Sequence, residues 1–271
     1  MSSMEISNLT KEKIEKMFSE GNRFDSRKLT DFRDFIIEKN ISNTAEGSTR
    51  VKLGKTEVLV GVKMLVGEPY PDSPDKGNLS VSADLLPLAS PRFESGPPQF
   101  DAIELPRLVD RIIRHSGILE LEKLVIKEGE KVWTIAIDIY PINDDGNLIV
   151  AATLGAVVAL RNSFLPSLDK NDRPDYEDRT KTHLPINKEV IPMCFSFYKL
   201  GNSLVLDPTR EEEEACDTKI TFGISKIGDE HRINSCQKKG KEIFTSEEVT
   251  QMMDIITKKF DELNKKLKNF L

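Results

Sequence analysis

The order of hydrophobic periodicities predicts an α+β fold of two lobes, each a β-sheet packed by helices. Three observations carry that reading. Runs that alternate with period two give way to helical patterns, and this sequence of events occurs twice along the chain. A polar, proline-dotted stretch at 163–188 separates the two passages. No P-loop, no GxGxxG after a strand, no HExxH and no GxSxG interrupts the pattern, which disfavours most familiar enzyme classes.

Each element has its own signal. Asn8-Leu9-Thr10 followed by KEKIEKMFSEG predicts a short amphipathic helix, capped by Thr10 or Asn8 and stopped at Gly21. Phe35-Ile36-Ile37, Ser48 to Leu53 and Thr56 to Val62 alternate as strands, the last two forming a hairpin about Gly54-Lys55. Leu79 to Leu85 is a further strand, and a proline-rich crossing runs from Pro91 to Pro98. Residues 101–116 follow as a helix with Leu105, Leu108, Val109 and Ile112 on one face. Pro106 is tolerable there only in the first turn, where its missing N–H has no partner to lose. Val132 to Tyr140 is a long strand, and Asp144-Asp145-Gly146-Asn147 turns into an apolar helix at about 148–162.

The second passage offers strands at Ile191–Tyr198, Ser203–Leu206, Ile220–Ser225 and Ile233–Cys236. A long helix begins at Ser246 behind a Thr245/Glu248 capping box. Its stripe of Val249, Met252, Met253, Ile256, Phe260, Leu263 and Leu267 is core-facing. The resulting division is a lead-in at 1–30, a first domain at 31–165, a linker at 166–188 and a second domain at 189–271.

Composition narrows the function. The 271 residues are 38% hydrophobic and 31% charged, with a formal net charge of −6. A globally basic nucleic-acid binder is excluded, so any RNA contact must come from a local patch or a partner. No apolar run reaches the 18 to 20 or so residues of a membrane span, and the first residues lack the order of a secretory signal. Cys194, Cys216 and Cys236 have no CxxC spacing and read as reduced thiols of a cytoplasmic protein. His115, His183 and His231 are isolated, so neither metal nor cofactor is expected.

Several segments together resemble a known family. Arg23-Phe24-Asp25-Ser26-Arg27 with Asp31-Phe32-Arg33 is similar to the opening signature of the RNase PH family. Glu46-Gly47-Ser48, Gly54-Lys55-Thr56 and Val58 to Lys63 resemble its first hairpin. Ser90-Pro91-Arg92-Phe93, Gly96-Pro97-Pro98, Ile103-Glu104-Leu105 and Asp207-Pro208-Thr209 resemble its exosome branch. The resemblance runs from about residue 20 to the C-terminus. It implies two related α+β domains with the RNase PH-like fold, six such pairs closing into a ring, and phosphorolytic attack on RNA from the 3′ end.

Phosphorolysis needs a cradle for phosphate, carboxylates for a metal or proton, and cations on the RNA backbone. In the catalytic members the cradle is a Gly-Thr/Ser-Arg-type turn at a helix start, and the resemblance matches it to Asp145-Gly146-Asn147-Leu148-Ile149. Leu148 and Ile149 offer phosphate nothing and Asp145 repels it, leaving Asn147 the plainer role of a helix cap. The catalytic carboxylates, six residues apart, match Glu213 and Lys219, and an ammonium repels Mg²⁺. Asp217 is four residues from Glu213 rather than six. Without the family, Glu211 to Glu214 would be a solvated acidic turn with a Thr209/Glu212 capping box.

Arg107, Arg111 and Arg114 sit at i, i+4 and i+7, one stripe of a helix opposite its apolar face. Periodicity alone would allow a merely solvated face. The resemblance implies instead that Arg107 and Arg111 face RNA at an active site shared with a paralogue, with Arg114 beside them. The expected protein is therefore the non-catalytic RNase PH-like subunit of an archaeal exosome core ring. Its implied partners are a catalytic paralogue in a hetero-hexameric ring, RNA-binding cap proteins and single-stranded RNA. The alternatives are an active phosphorolytic 3′→5′ exoribonuclease and a purely structural ring spacer.

Overall fold

The computed structural model describes residues 6–177 and 182–271. The first five residues of the lead-in and positions 178–181 of the linker lie outside the described residues.

The first sheet has the order β1-β2-β3-β6-β4, with β5 joining β6. Its strands are β1 (Phe35–Lys39), β2 (Gly47–Leu53), β3 (Thr56–Gly67), β4 (Asn78–Ala83), β5 (Val125–Lys127) and β6 (Lys131–Asn143). Alternation does what the sequence requires of it: Thr56, Val58, Val60, Val62 and Met64 of β3 are buried and their neighbours are not. The hairpin pairs Leu53 with Thr56, so Gly54-Lys55 is a two-residue turn. Gly54 has φ +57°, and a Cβ there would lie 2.5 Å from Arg33 Cδ. β4 is an edge strand, parallel to β6.

Helix α1 (Asn8–Ser19) begins behind Ser7, whose Oγ accepts from the Thr10 N–H. The cap is thus one residue ahead of the Asn8 and three ahead of the Thr10 that its sequence suggests, because Ser7 is the last extended residue. Its buried Ile14 and Phe18 pack with Leu200, Val205 and Ala215 of the second half rather than with the first sheet.

Helix α2 (Phe100–Arg114) packs against β4 and the second half. Pro106 is its seventh residue, beyond the first turn where it was expected. The missing N–H costs one helical bond, yet Phe100, Asp101 and Ile103 in the preceding turn are exposed, so that turn stays within reach of water. Helix α3 (Leu148–Arg161) is buried at every position from Leu148 to Leu160. A helix apolar all round needs cover all round, and α3 has it from β2 and β3 on one side and the second sheet on the other. One continuous core therefore runs from Phe35 to Leu267.

Between the two halves, β7 (Ser167–Leu168) pairs with β8 (Pro174–Asp175). Bridges join Phe164 to His183 and Leu119 to Ile186, and Tyr176 Oη donates to the Met64 carbonyl. His183 stacks on Phe164 with ring centres 4.7 Å apart.

The second sheet has the order β10-β9-β11-β12, built from β9 (Met193–Leu200), β10 (Ser203–Leu206), β11 (Thr218–Ile227) and β12 (Glu230–Gly240). Helix α4 (Arg210–Ala215) separates β10 from β11. Helix α5 (Ser246–Leu267) carries the expected capping box and buries Met252, Ile256, Phe260, Leu263 and Leu267. Among the described residues no helix is long and apolar enough to cross a membrane.

Candidate nucleic-acid interface

A buried ionic hub sets the geometry of the site. The Asp207 carboxylate is fully buried and accepts from Arg33 at its backbone N–H (2.7 Å), Nε (2.9 Å) and Nη2 (2.8 Å). It also accepts from Arg27 Nη1 at 3.0 Å and Asn147 Nδ2 at 2.7 Å. Burial pushes the Asp207 carboxyl upward, but the bonds and charge of Arg33 prevail and hold it below the usual carboxylate range. Glu212 is 1% exposed and accepts from Arg23 Nε at 3.0 Å and from Arg23 Nη2, while closing the capping box on the Thr209 N–H.

Two sequence expectations are corrected here. Of the acidic turn only Glu211 is fully exposed, and Glu212 is buried with a buried arginine, Arg23, for a counter-ion. Asn147 precedes α3 in a left-handed conformation, φ +56°, with its side chain spent on Asp207 rather than on a cap bond.

The hub draws the turn 144–147 against α4. Gly146, φ +83°, sits so close to Thr209 and Arg210 that a Cβ would lie 2.6 Å from the Thr209 carbonyl carbon. That approach lets Glu213 Oε2 accept the Asn147 N–H at 2.8 Å. The chain's own carboxylate thus occupies the start of α3, where a helix terminus would otherwise favour a free anion.

Leu148, Ile149, Glu213, Asp217 and Lys219 all line one cleft of about 280 Å³. So the positions matched to the catalytic cradle and carboxylates do come together, but with different chemistry. Lys219 Nζ lies 3.3 Å from Glu104 Oε2. Asp217 is engaged by Lys11 Nζ at 2.6 Å. Lys239 Nζ pairs with Asp101 at 3.0 Å and Glu104 at 3.3 Å, and lies 4.3 Å from the Phe100 ring centre. Burial alone would lower the Lys239 ammonium, yet Asp101 and Glu104 raise it. Arg92, which lines the cleft, has Nε 2.8 Å from Asp144 Oδ2, at an angle too bent for a hydrogen bond. Burial still raises the Asp144 carboxyl, Arg92 offsetting it only in part. Among the described residues no group of histidine, cysteine, aspartate or glutamate is arranged to hold a metal.

The arginine stripe borders a second, shallower groove of about 250 Å³ between α2 and the outer edge of β4, where Ser80, Val81, Pro106, Arg107, Asp110 and Arg111 meet. The three arginines differ. Arg107 is exposed and, among the described residues, has neither ion pair nor hydrogen bond. Arg111 donates Nη1 to Gln237 Oε1 at 3.1 Å, a neutral acceptor. Arg114 is committed: Nη2 and Nε reach Asp110 at 2.6 and 3.0 Å, and Nη2 also donates to the Leu79 carbonyl. The Asp110 bond raises the Arg114 guanidinium above its ordinary value, with burial opposing it.

A family model for the 3′ exoribonuclease family, domain 1, matches residues 31–166, and the domain 2 model of that family matches residues 191–258. The chain belongs to the RNase PH family of 3′ exoribonucleases. Its RNase PH-like fold is shared closely with solved structures. An Archaeoglobus fulgidus exosome chain, from a structure with RNA bound to the active site, superposes with TM-score 0.87 at 39% identity, covering 96% of this chain and 98% of that one. A chain of an archaeal exosome core gives TM-score 0.83 at 35% identity, covering 96% and 97%. Exosome complex component Rrp42 of Methanothermobacter thermautotrophicus is 41% identical over 259 residues, 95% of this RNase PH-family chain and 94% of the relative.

Sequence reasoning missed three contacts in this region: Gln237 on Arg111, the Lys239 latch onto Asp101 and Glu104, and the Arg92–Asp144 pair. Arg92 lay in a segment similar to the exosome branch, which was the one available signal. Gln237 gave none.

Proposed function

We propose that this chain is a non-catalytic ring subunit of an archaeal exosome, supporting 3′→5′ phosphorolytic RNA degradation by a catalytic RNase PH-like paralogue. The observation that carries the proposal is the seat at the start of α3: Glu213 fills it with the chain's own carboxylate, beside Leu148 and Ile149. An attacking phosphate would meet a negative charge where it needs donors. Lys219, held by Glu104, puts a cation where a metal ligand is needed. The relatives named exosome component and exosome core support the ring, with RNA-binding cap proteins and single-stranded RNA as further partners.

The contribution to RNA is Arg107 and Arg111, whose charges no carboxylate cancels. Arg114, paired with Asp110, holds α2 to the edge of β4 and takes a supporting role. The test is phosphorolysis of single-stranded RNA with Mg²⁺ and phosphate. Pure protein releases no nucleoside diphosphate, and activity appears when the catalytic paralogue is added. Turnover by the protein after exhaustive removal of any paralogue overturns the proposal.

A further inference from the structure

We propose that Gln237 is the positioning residue of this RNA site, holding the Arg111 guanidinium in place without cancelling its charge. The inference rests on the reading of Arg111 as an RNA contact and deepens it.

A long arginine side chain that must meet a phosphate loses rotamer freedom on binding, and a protein can meet that cost in advance by holding the side chain. The holder has to be an acceptor, since guanidinium offers only donors. A carboxylate would hold it most firmly but would neutralise the field that attracts phosphate. The same helix displays both solutions. Arg114 is gripped by the Asp110 carboxylate through two bonds and is electrostatically spent. Arg111, one turn away, is gripped by a neutral amide oxygen at 3.1 Å, and that is its one bond among the described residues. Four of its five N–H groups therefore remain for an incoming phosphodiester.

Gln237 is itself well anchored. It lies on β12, opposite Thr221 of β11 in register, and both it and Arg111 are half-buried. Two residues along the same face of the strand, Lys239 latches onto Asp101 and Glu104 at the start of α2. The strand that carries the amide is thus fixed to the helix that carries the arginine. The two residues are 126 positions apart in sequence, so the RNA strip on the first half is aimed by the second half.

The experiment uses the ring assembled with its catalytic paralogue, checked by light scattering, and measures KM, kcat and salt dependence with single-stranded RNA. Gln237→Leu removes the acceptor at similar volume. It should raise KM roughly 2- to 12-fold, the cost of immobilising one rotamer-rich side chain on binding, with kcat within about twofold and the salt slope unchanged. Gln237→Glu keeps an acceptor but adds the cancelling charge, and should raise KM while reducing the salt slope by roughly 0.7. A merely structural bond predicts neither the KM–kcat split nor the different slopes. In an Arg111→Ala background, Gln237→Leu should have no further effect. Gln237→Ala replaces Leu if the larger apolar side chain disturbs the edge strand. If Arg111→Ala alone leaves KM unchanged, the RNA-contact reading itself fails. If Arg111→Ala raises KM but Gln237→Leu and Gln237→Ala do not, only the positioning role is overturned.

Discussion

Asp207→Asn isolates the charge at the centre of the ionic hub. Asp207 adopts a left-handed backbone, φ +48°, which asparagine tolerates, so the substitution adds no backbone strain. The fully buried carboxylate accepts five N–H bonds, from Arg33, Arg27 and Asn147. An amide replaces one acceptor oxygen with two donors, which then face other donors. It also leaves the buried Arg33 guanidinium, 8% exposed, with only the more distant Asp145 carboxylate at 3.3 Å. Removing one member of a buried pair costs about 3–5 kcal/mol, a large part of a total stability of about 5–15 kcal/mol. With a urea slope near 3 kcal/mol per molar, the midpoint of unfolding followed by circular dichroism should fall by roughly 1–1.7 M.

The pH dependence gives a second check. The folded-state pKa of Asp207 is depressed, so its stabilisation is complete above the unfolded value of about 3.9 and is lost as pH falls through the folded value. The gap between wild type and variant should be full at pH 7 and narrow below about pH 4. A loss under about 1 kcal/mol at pH 7, or a gap that does not change with pH, would refute the view that charge pairing holds this junction.

Other consequences follow from the same geometry. Arg107→Glu with Arg111→Glu should leave the ring assembled, raise KM for RNA alike across sequences, and lower the salt slope of binding by roughly 0.7 per lost contact; unchanged RNA affinity in an intact ring would make the stripe a solvated face. Gly146→Ala should cost about 1–3 kcal/mol for its backbone conformation alone, with a further clash against Thr209 and Arg210, so a thermal midpoint equal to wild type would contradict the close approach. Mixed with its catalytic paralogue, the chain should scatter light as a closed hetero-hexamer, and a mixture that remains separate monomers would rule out the ring.

What the sequence discloses here is what neighbours along the chain decide. The hairpin about Gly54 and the Thr245/Glu248 box of α5 are local devices, and both are found where alternation and capping rules put them. The errors come from partners far away in sequence. Glu212 reads as solvated because glutamate usually is, and only Arg23, 189 positions earlier, makes its burial tolerable. Asn147 reads as a cap because nothing nearby reveals that Asp207 claims its amide. At the candidate site, periodicity gives the stripe of three arginines as equals. Their inequality depends on Asp110 within the helix, which was visible, and on Gln237 from another sheet, which was not.

Helix α1 imposes an order in time. Its Ile14 and Phe18 are made well before Leu200, Val205 and Ala215, which cover them and follow about 180 residues later. At 5–20 residues per second the wait is roughly 10–35 s. Arg23 waits as long for Glu212. During synthesis the first sheet and α3 can begin to collapse while α1 stays uncovered, and it docks only when β10 and α4 have been made. A nascent chain stalled before residue 200 would therefore present the uncovered apolar face of α1 to chaperones and proteases, a marker of incompleteness that the folded protein hides.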